Sequence, residues 1–278
     1  MSLEVLIVLV LFYGISAAAS MIQLRRLQVS LGRVIRWVSG LALLFQAALI
    51  VSLLVKVGSL SHIHPPQFQL LTSFALALFA WLFAFKRGFL IVSVILWSIV
   101  IVDLAAFYFF ASADSASVLP SPWIWLHILL MLSGETLFFV AAAFSIVFLI
   151  AEYQLRKASF SGAFTRIPSL SSFDSILGEM VLGGFLMLTA GMGMGFFFAR
   201  EFWEGSWILD PKVLFCILTW ALYGSLLLLR ALRSELRGHR SAWVAFLGLL
   251  AVVFLAWGVD AFFPSRHMSF QMKVQDEE

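Results

Sequence analysis

Eight apolar runs, each close to the length of a bilayer-crossing helix, set the first limit on what this chain can become. They extend from Leu3 to Leu24, Val34 to Val57, Phe68 to Phe85, Phe89 to Phe110, Trp123 to Ile150, Ile176 to Phe198, Val213 to Leu229 and Ala242 to Phe263. A hydrocarbon layer about 30 Å thick needs about 20 apolar residues per helix, since backbone polar groups there must pair within the segment. A single soluble core could not hide so much apolar surface: 62% of the 278 residues are hydrophobic and only 12% are charged. The expected fold is therefore all-α, a polytopic bundle of about eight transmembrane helices forming one integral membrane domain over residues 1–278. The first run has no basic segment before it and reads as a span, not as a secretory signal.

Lys and Arg placement predicts the orientation, because basic residues near helix ends stay on the cytoplasmic side. With the N-terminus outside, the cytoplasmic connections hold Arg25, Arg26, Arg33, Arg36, Lys86, Arg87, Arg156, Lys157, Arg166, Arg230, Arg233, Arg237 and Arg240, which are 13 of the 18 basic residues. Both termini are expected on the outer face. The net charge of +3 comes from these residues, which would face anionic lipids and call for no nucleic-acid partner. The one cysteine, Cys216, falls within the seventh run, so neither a disulfide framework nor a redox pair is available. The alternate glycines of "TAGMGMG" lie inside an apolar run without the strand and helix start that a phosphate loop requires. Gly184, Gly191 and Gly195 read instead as small positions that admit a neighbouring helix.

On the expected outer face three features gather. The loop "AREFWEGSWILDPK" joins the sixth and seventh runs; His127 lies in the first turns of the fifth; His267 follows the eighth. Two neutral imidazoles over an aromatic floor suit a flat iron macrocycle, with Arg200, Lys212 or Arg266 pairing its propionates. The same residues also fit a bland reading, since Trp123, Trp125, Trp203 and Trp207 fall at a membrane interface, where Trp is common for its amphipathic ring alone. His62 and His64 are second-rank candidates on that face, and His239 reads as part of a solvated basic turn. Among charges inside the runs, Asp103, Glu135 and Asp260 stand out, because an ionisable group in the bilayer marks an interior partner or pathway. Glu135 is eight residues beyond His127, which places it roughly 12 Å deeper on the same helix.

The segment from Gly178 to Phe270 resembles the cytochrome c assembly family of CcsA, ResC and CcmC type, whose members carry a Trp-rich "WWD" loop. Residues 176–270 are the most family-like part. "WEGSWILDPKV" retains Trp203, Gly205, Ser206, Trp207, Asp210, Pro211 and Lys212 of the family's loop, and the histidines before and after it match His127 and His267. The resemblance implies that His127 and His267 are axial ligands of a non-covalent, b-type haem. It also implies that Trp203, Trp207 and Asp210 lie in the loop that faces it. Leu209 and Val213 depart from the family's Trp and Glu, and the short chain is similar to the smaller HemX and YpjD-like branch. The function this implies is haem binding and presentation at the outer face of the bacterial cytoplasmic membrane during cytochrome c maturation. The implied partners are apocytochrome c and another membrane subunit. A non-catalytic regulator or scaffold linked to haem biosynthesis or membrane-protein assembly is the alternative. A small-solute permease using Asp103, Glu135 and Asp260 is a third reading.

Overall fold

Each apolar run becomes a helix in the computed structural model, which describes residues 3–26, 29–57, 65–110, 123–157, 167–202, 207–233 and 237–263. The helices are α1 (Leu3–Arg26), α2 (Val29–Val57), α3 (Pro65–Ala84), α4 (Leu90–Phe110), α5 (Trp123–Arg156), α6 (Leu170–Phe202), α7 (Pro211–Leu232) and α8 (His239–Val253). A π-helical turn, Phe254–Gly258, carries α8 onward into the short α9, Val259–Phe262. Among the described residues there is no strand, and the polytopic helical bundle expected from the runs is the architecture observed. Six helices are long and apolar enough to cross a membrane; the apolar parts of α3 (Phe68–Ala84) and α8 are shorter. Several helices outrun their apolar stretches: α5 ends at Arg156 and α6 starts at Leu170, because polar end turns keep their hydrogen bonds in water.

Two rings of four helices make up the bundle. In the first, α1 packs on α2, α2 on α3, α3 on α4 and α4 back on α1; in the second, α5, α6, α7 and α8 close in the same manner. α5 joins the rings by packing against α3 and α4.

Each ring is filled by an aromatic stack that all four of its helices reach. In the first, Tyr13 of α1 stacks on Trp97 of α4 with centroids 5.3 Å apart. Its hydroxyl donates to Gln46 Oε1 of α2, whose Nε2 donates in turn to Ser73 Oγ of α3 at 2.8 Å. In the second ring, Phe138 of α5 lies on Tyr223 of α7, centroids 3.9 Å apart and planes within 5°. Gly184 of α6 faces Phe138 and Gly248 of α8 faces Tyr223; a Cβ at either would come within 2.7 Å or less of a ring atom. Buried polar groups that are hydrogen-bonded across helices fix one register, while the apolar stacks supply dispersion and burial.

The end of the second ring away from His127 is tied by charge. Arg230 of α7 grips Asp174 of α6, and Asp174 Oδ1 also accepts from the Gly238 backbone N–H at 2.9 Å, just ahead of α8. Glu152 of α5 accepts from Arg156 Nη2 at 2.8 Å and pairs with His239 at the start of α8. His239, read from sequence as a solvated turn residue, thus anchors α8 to α5.

Candidate functional site

The site is built on α6. From Gly191 to Phe196, one and a half turns of this helix touch both His127 and Trp207, residues 80 positions apart in the chain. The glycines allow it: α5 approaches so closely that a Cβ on Gly134 would sit 3.1 Å from the Gly184 carbonyl oxygen. Farther along the same seam, a Cβ on Gly191 would meet Met131 Sδ at 2.7 Å, and one on Gly195 would meet His127 Cε1 at 2.7 Å. The small positions expected at 184, 191 and 195 are the contact line between α5 and α6.

His127 is half-buried on that line, and its Nδ1 lies 2.7 Å from the backbone carbonyl oxygen of Gly191. A carbonyl can only accept, so the ring nitrogen facing it carries the proton. In the neutral imidazole the lone pair is then on Nε2, the arrangement that a metal-ligating histidine needs.

Trp207 meets the same stretch of helix through Phe196. It opens the 3-10 turn Trp207–Leu209 and its ring lies 5.4 Å from that of Phe196, the residue after Gly195. The turn then passes directly into α7. Asp210 is the N-cap: its buried carboxylate accepts from the backbone N–H groups of Lys212 at 2.9 Å and Val213 at 3.4 Å, and Pro211 opens the helix. This is the favourable chemistry for a helix start, since proline gives up a donor that would have no partner there. The Asp-Pro-Lys triplet therefore has a local structural task whatever else it does. α7 is then fixed to α6 by Trp220, whose Nε1 donates to Thr189 Oγ1 at 2.9 Å and whose ring stacks on Phe185.

Of the three cations read as propionate partners two are described: Arg200 is exposed near the end of α6 and Lys212 is half-buried in the first turn of α7. Asp103 is 1% exposed and its Oδ1 accepts from Gln69 Nε2 at 3.1 Å. That bond joins α4 to α3. His267, Trp203, Arg266, His62 and His64 lie outside the described residues. The structure accordingly brings His127 and Trp207 onto one stretch of α6, with Asp210 and Lys212 following Trp207 at the start of α7. Residues that sequence reasoning passed over are Phe196, which seats Trp207, and Phe68, which meets Trp125 edge-on at 5.5 Å. Phenylalanine is too frequent in this chain, at 29 residues, for either to have stood out. Among the described residues no group of three or more His, Cys, Asp or Glu is arranged to hold a metal ion.

Residues 65–265 match the family model for the cytochrome C assembly protein. The chain belongs to that family. It is similar to the cytochrome c biogenesis protein CcsA of Synechococcus sp. (strain CC9605), 27% identical over 171 residues, covering 54% of this chain and 56% of the relative. CcsA of Cyanidium caldarium is 25% identical over 167 residues, 51% of this chain and 56% of its own. The chain spans about half the length of these curated relatives. Among solved structures it shares its fold with the cytochrome c haem lyase CcmF, at a TM-score of 0.61 and 16% identity, over 94% of this chain and 50% of that one.

Proposed function

We propose that this multi-pass membrane protein acts in cytochrome c maturation by binding haem non-covalently and presenting it at the outer face of the cytoplasmic membrane. The carrying observation is the pairing of His127 Nδ1 with the Gly191 carbonyl on the stretch of α6 that also seats Trp207. That donor set fits haem: an imidazole with its lone pair on Nε2, an indole seated on the same stretch of α6 and cations at Arg200 and Lys212. In this reading His127 and His267 would hold the iron, Trp203 and Trp207 would face the haem, and Lys212 or Arg200 would pair the propionates. Haem itself supplies the iron and the vinyl groups that maturation joins to cysteine.

This chain's residues hold and orient. His127 is held by α6, Trp207 is held by Phe196, and Asp210 fixes the loop where it turns into α7. Thioether formation then needs the reduced CxxCH of an apocytochrome and another membrane subunit, because Cys216 is buried within α7 and the sequence has no second cysteine. The relatives' titles, a cytochrome c biogenesis protein and a cytochrome c haem lyase, point to the same process.

The test is the optical spectrum of protein purified after expression with ample haem. A low-spin, bis-histidine spectrum that His127→Ala and His267→Ala each diminish supports the proposal. A protein that purifies without haem, or binds it equally well without both histidines, would favour a scaffold role instead.

A further inference from the structure

We infer that α6 acts as the positioning element for His127: the Gly191 carbonyl selects the ring's tautomer, and the absence of a side chain at Gly195 gives the ring its place. The inference rests on the haem reading for its purpose, but its geometry stands apart from it.

Three contacts define the seat. His127 Nδ1 lies 2.7 Å from the Gly191 carbonyl oxygen. That oxygen, four residues before Gly195 in an α-helix, also faces the Gly195 N–H, and a carbonyl has lone pairs for both donors. The third contact is the ring against Gly195: a Cβ there would be 2.7 Å from Cε1, 3.2 Å from Nδ1 and 3.5 Å from Nε2, so the imidazole covers the α-carbon. One helical turn thus accepts the Nδ1–H hydrogen bond with its first residue and makes room for the ring with its last.

This arrangement separates orientation from folding. A methyl group at position 195 would displace the far end of one side chain, which is tolerable for the bundle, yet the displacement must stretch or break the bond to Gly191. Nearby positions provide controls. Gly193, two residues away on the same helix, meets no neighbouring atom of the described residues within 4 Å of its would-be Cβ, so Gly193→Ala makes the same chemical change without touching the ring. Gly191→Ala keeps the carbonyl but presses on Met131 at both its Sδ, 2.7 Å, and its backbone N, 3.3 Å, so it tests the α5–α6 seam and not the ring alone. Losing the partner that orients a ligating histidine weakens metal binding by about 10- to 100-fold.

The first measurement requires no haem. In the full-length protein labelled with 15N-histidine, the His127 signals, identified by their loss in His127→Asn, should show a protonated Nδ1 and an unprotonated Nε2. Gly195→Ala should shift them to mixed tautomers, while Gly193→Ala leaves them in place. The second measurement is haem titration: Gly195→Ala should bind about 10- to 100-fold more weakly and recover its low-spin spectrum with added imidazole. A wild-type ring protonated at Nε2, or a Gly195→Ala protein with unchanged tautomer and affinity, would overturn the inference. The expected tautomers in a protein that takes up no haem would support the seat and refute the haem reading.

Discussion

Arg230 and Asp174 are joined at three points: Nη1 to Oδ1 at 2.8 Å, Nη2 to Oδ2 at 3.1 Å and Nη2 to the Asp174 carbonyl oxygen at 3.0 Å. The guanidinium reaches this position because Gly178, one turn along α6, has no side chain; a Cβ there would be 2.7 Å from Nη2. This fork holds α7 to α6 at the opposite end of the second ring from His127, and the Gly238 N–H bond to the same carboxylate includes the approach to α8.

Arg230→Ala should therefore lower stability by about 1.5–3 kcal/mol, the range for hydrogen bonds to charged groups. Arg230→Lys should recover little of it, since an ammonium cannot reproduce the planar fork. Thermal unfolding in detergent, followed by tryptophan fluorescence, measures both. A variant that melts with the wild type would show the clasp to be incidental.

Gly184→Ala should be overpacked. Its Cβ would fall 2.7 Å from Phe138 Cε1 and 3.1 Å from the Gly134 carbonyl oxygen, at the stack that fills the second ring. Phe138 cannot move away without disturbing Tyr223, so the expected loss is about 1–3 kcal/mol. Gly193→Ala, in open space, should be neutral or slightly stabilising. Equal melting temperatures for the two proteins would contradict the close α5–α6 seam.

Much of this was legible because membrane helices announce themselves by length. The eight runs became eight helical segments, and the glycines at 184, 191 and 195 were visible as small positions before their partners were known. Their partners were not legible, because nothing in local sequence says that Gly195 faces His127 while Gly193 faces none of the bundle. Nor does pattern reveal Phe196 as the seat of Trp207 or Glu152 as the partner of His239, since both depend on how antiparallel helices are offset. Asp210 entered the sequence reading only through the family resemblance, and its place as the cap of α7 came from the structure. Asp followed by Pro just before an apolar run is a start signal in its own right.

Gln69→Leu should destabilise the bundle through Asp103. The Asp103 carboxylate is 1% exposed and Gln69 Nε2 donates to its Oδ1, so deleting the amide leaves a buried polar group short of a donor. The expected loss is about 1–3 kcal/mol. The double variant Gln69→Leu with Asp103→Leu should lose less than the sum of the two single changes, since the second removes the group that the first orphaned. A double-mutant cycle of unfolding free energies decides the matter; strict additivity would mean that the pair does not interact.

Asp210 offers a way to separate the loop's structure from its charge. Its carboxylate caps α7 by accepting from the Lys212 and Val213 N–H groups, a task that asparagine performs about as well. Asp210→Ala should cost about 1 kcal/mol and loosen the turn that places Trp207 against Phe196, whereas Asp210→Asn should retain both. Unfolding midpoints report the cap, and tryptophan emission in a protein retaining Trp207 as its probe reports the seat. If Asp210→Asn keeps wild-type stability and haem affinity, the residue acts as a cap alone. If stability is kept and affinity falls, the negative charge itself takes part in the site; a loss of stability as large as that of Asp210→Ala would contradict the capping geometry.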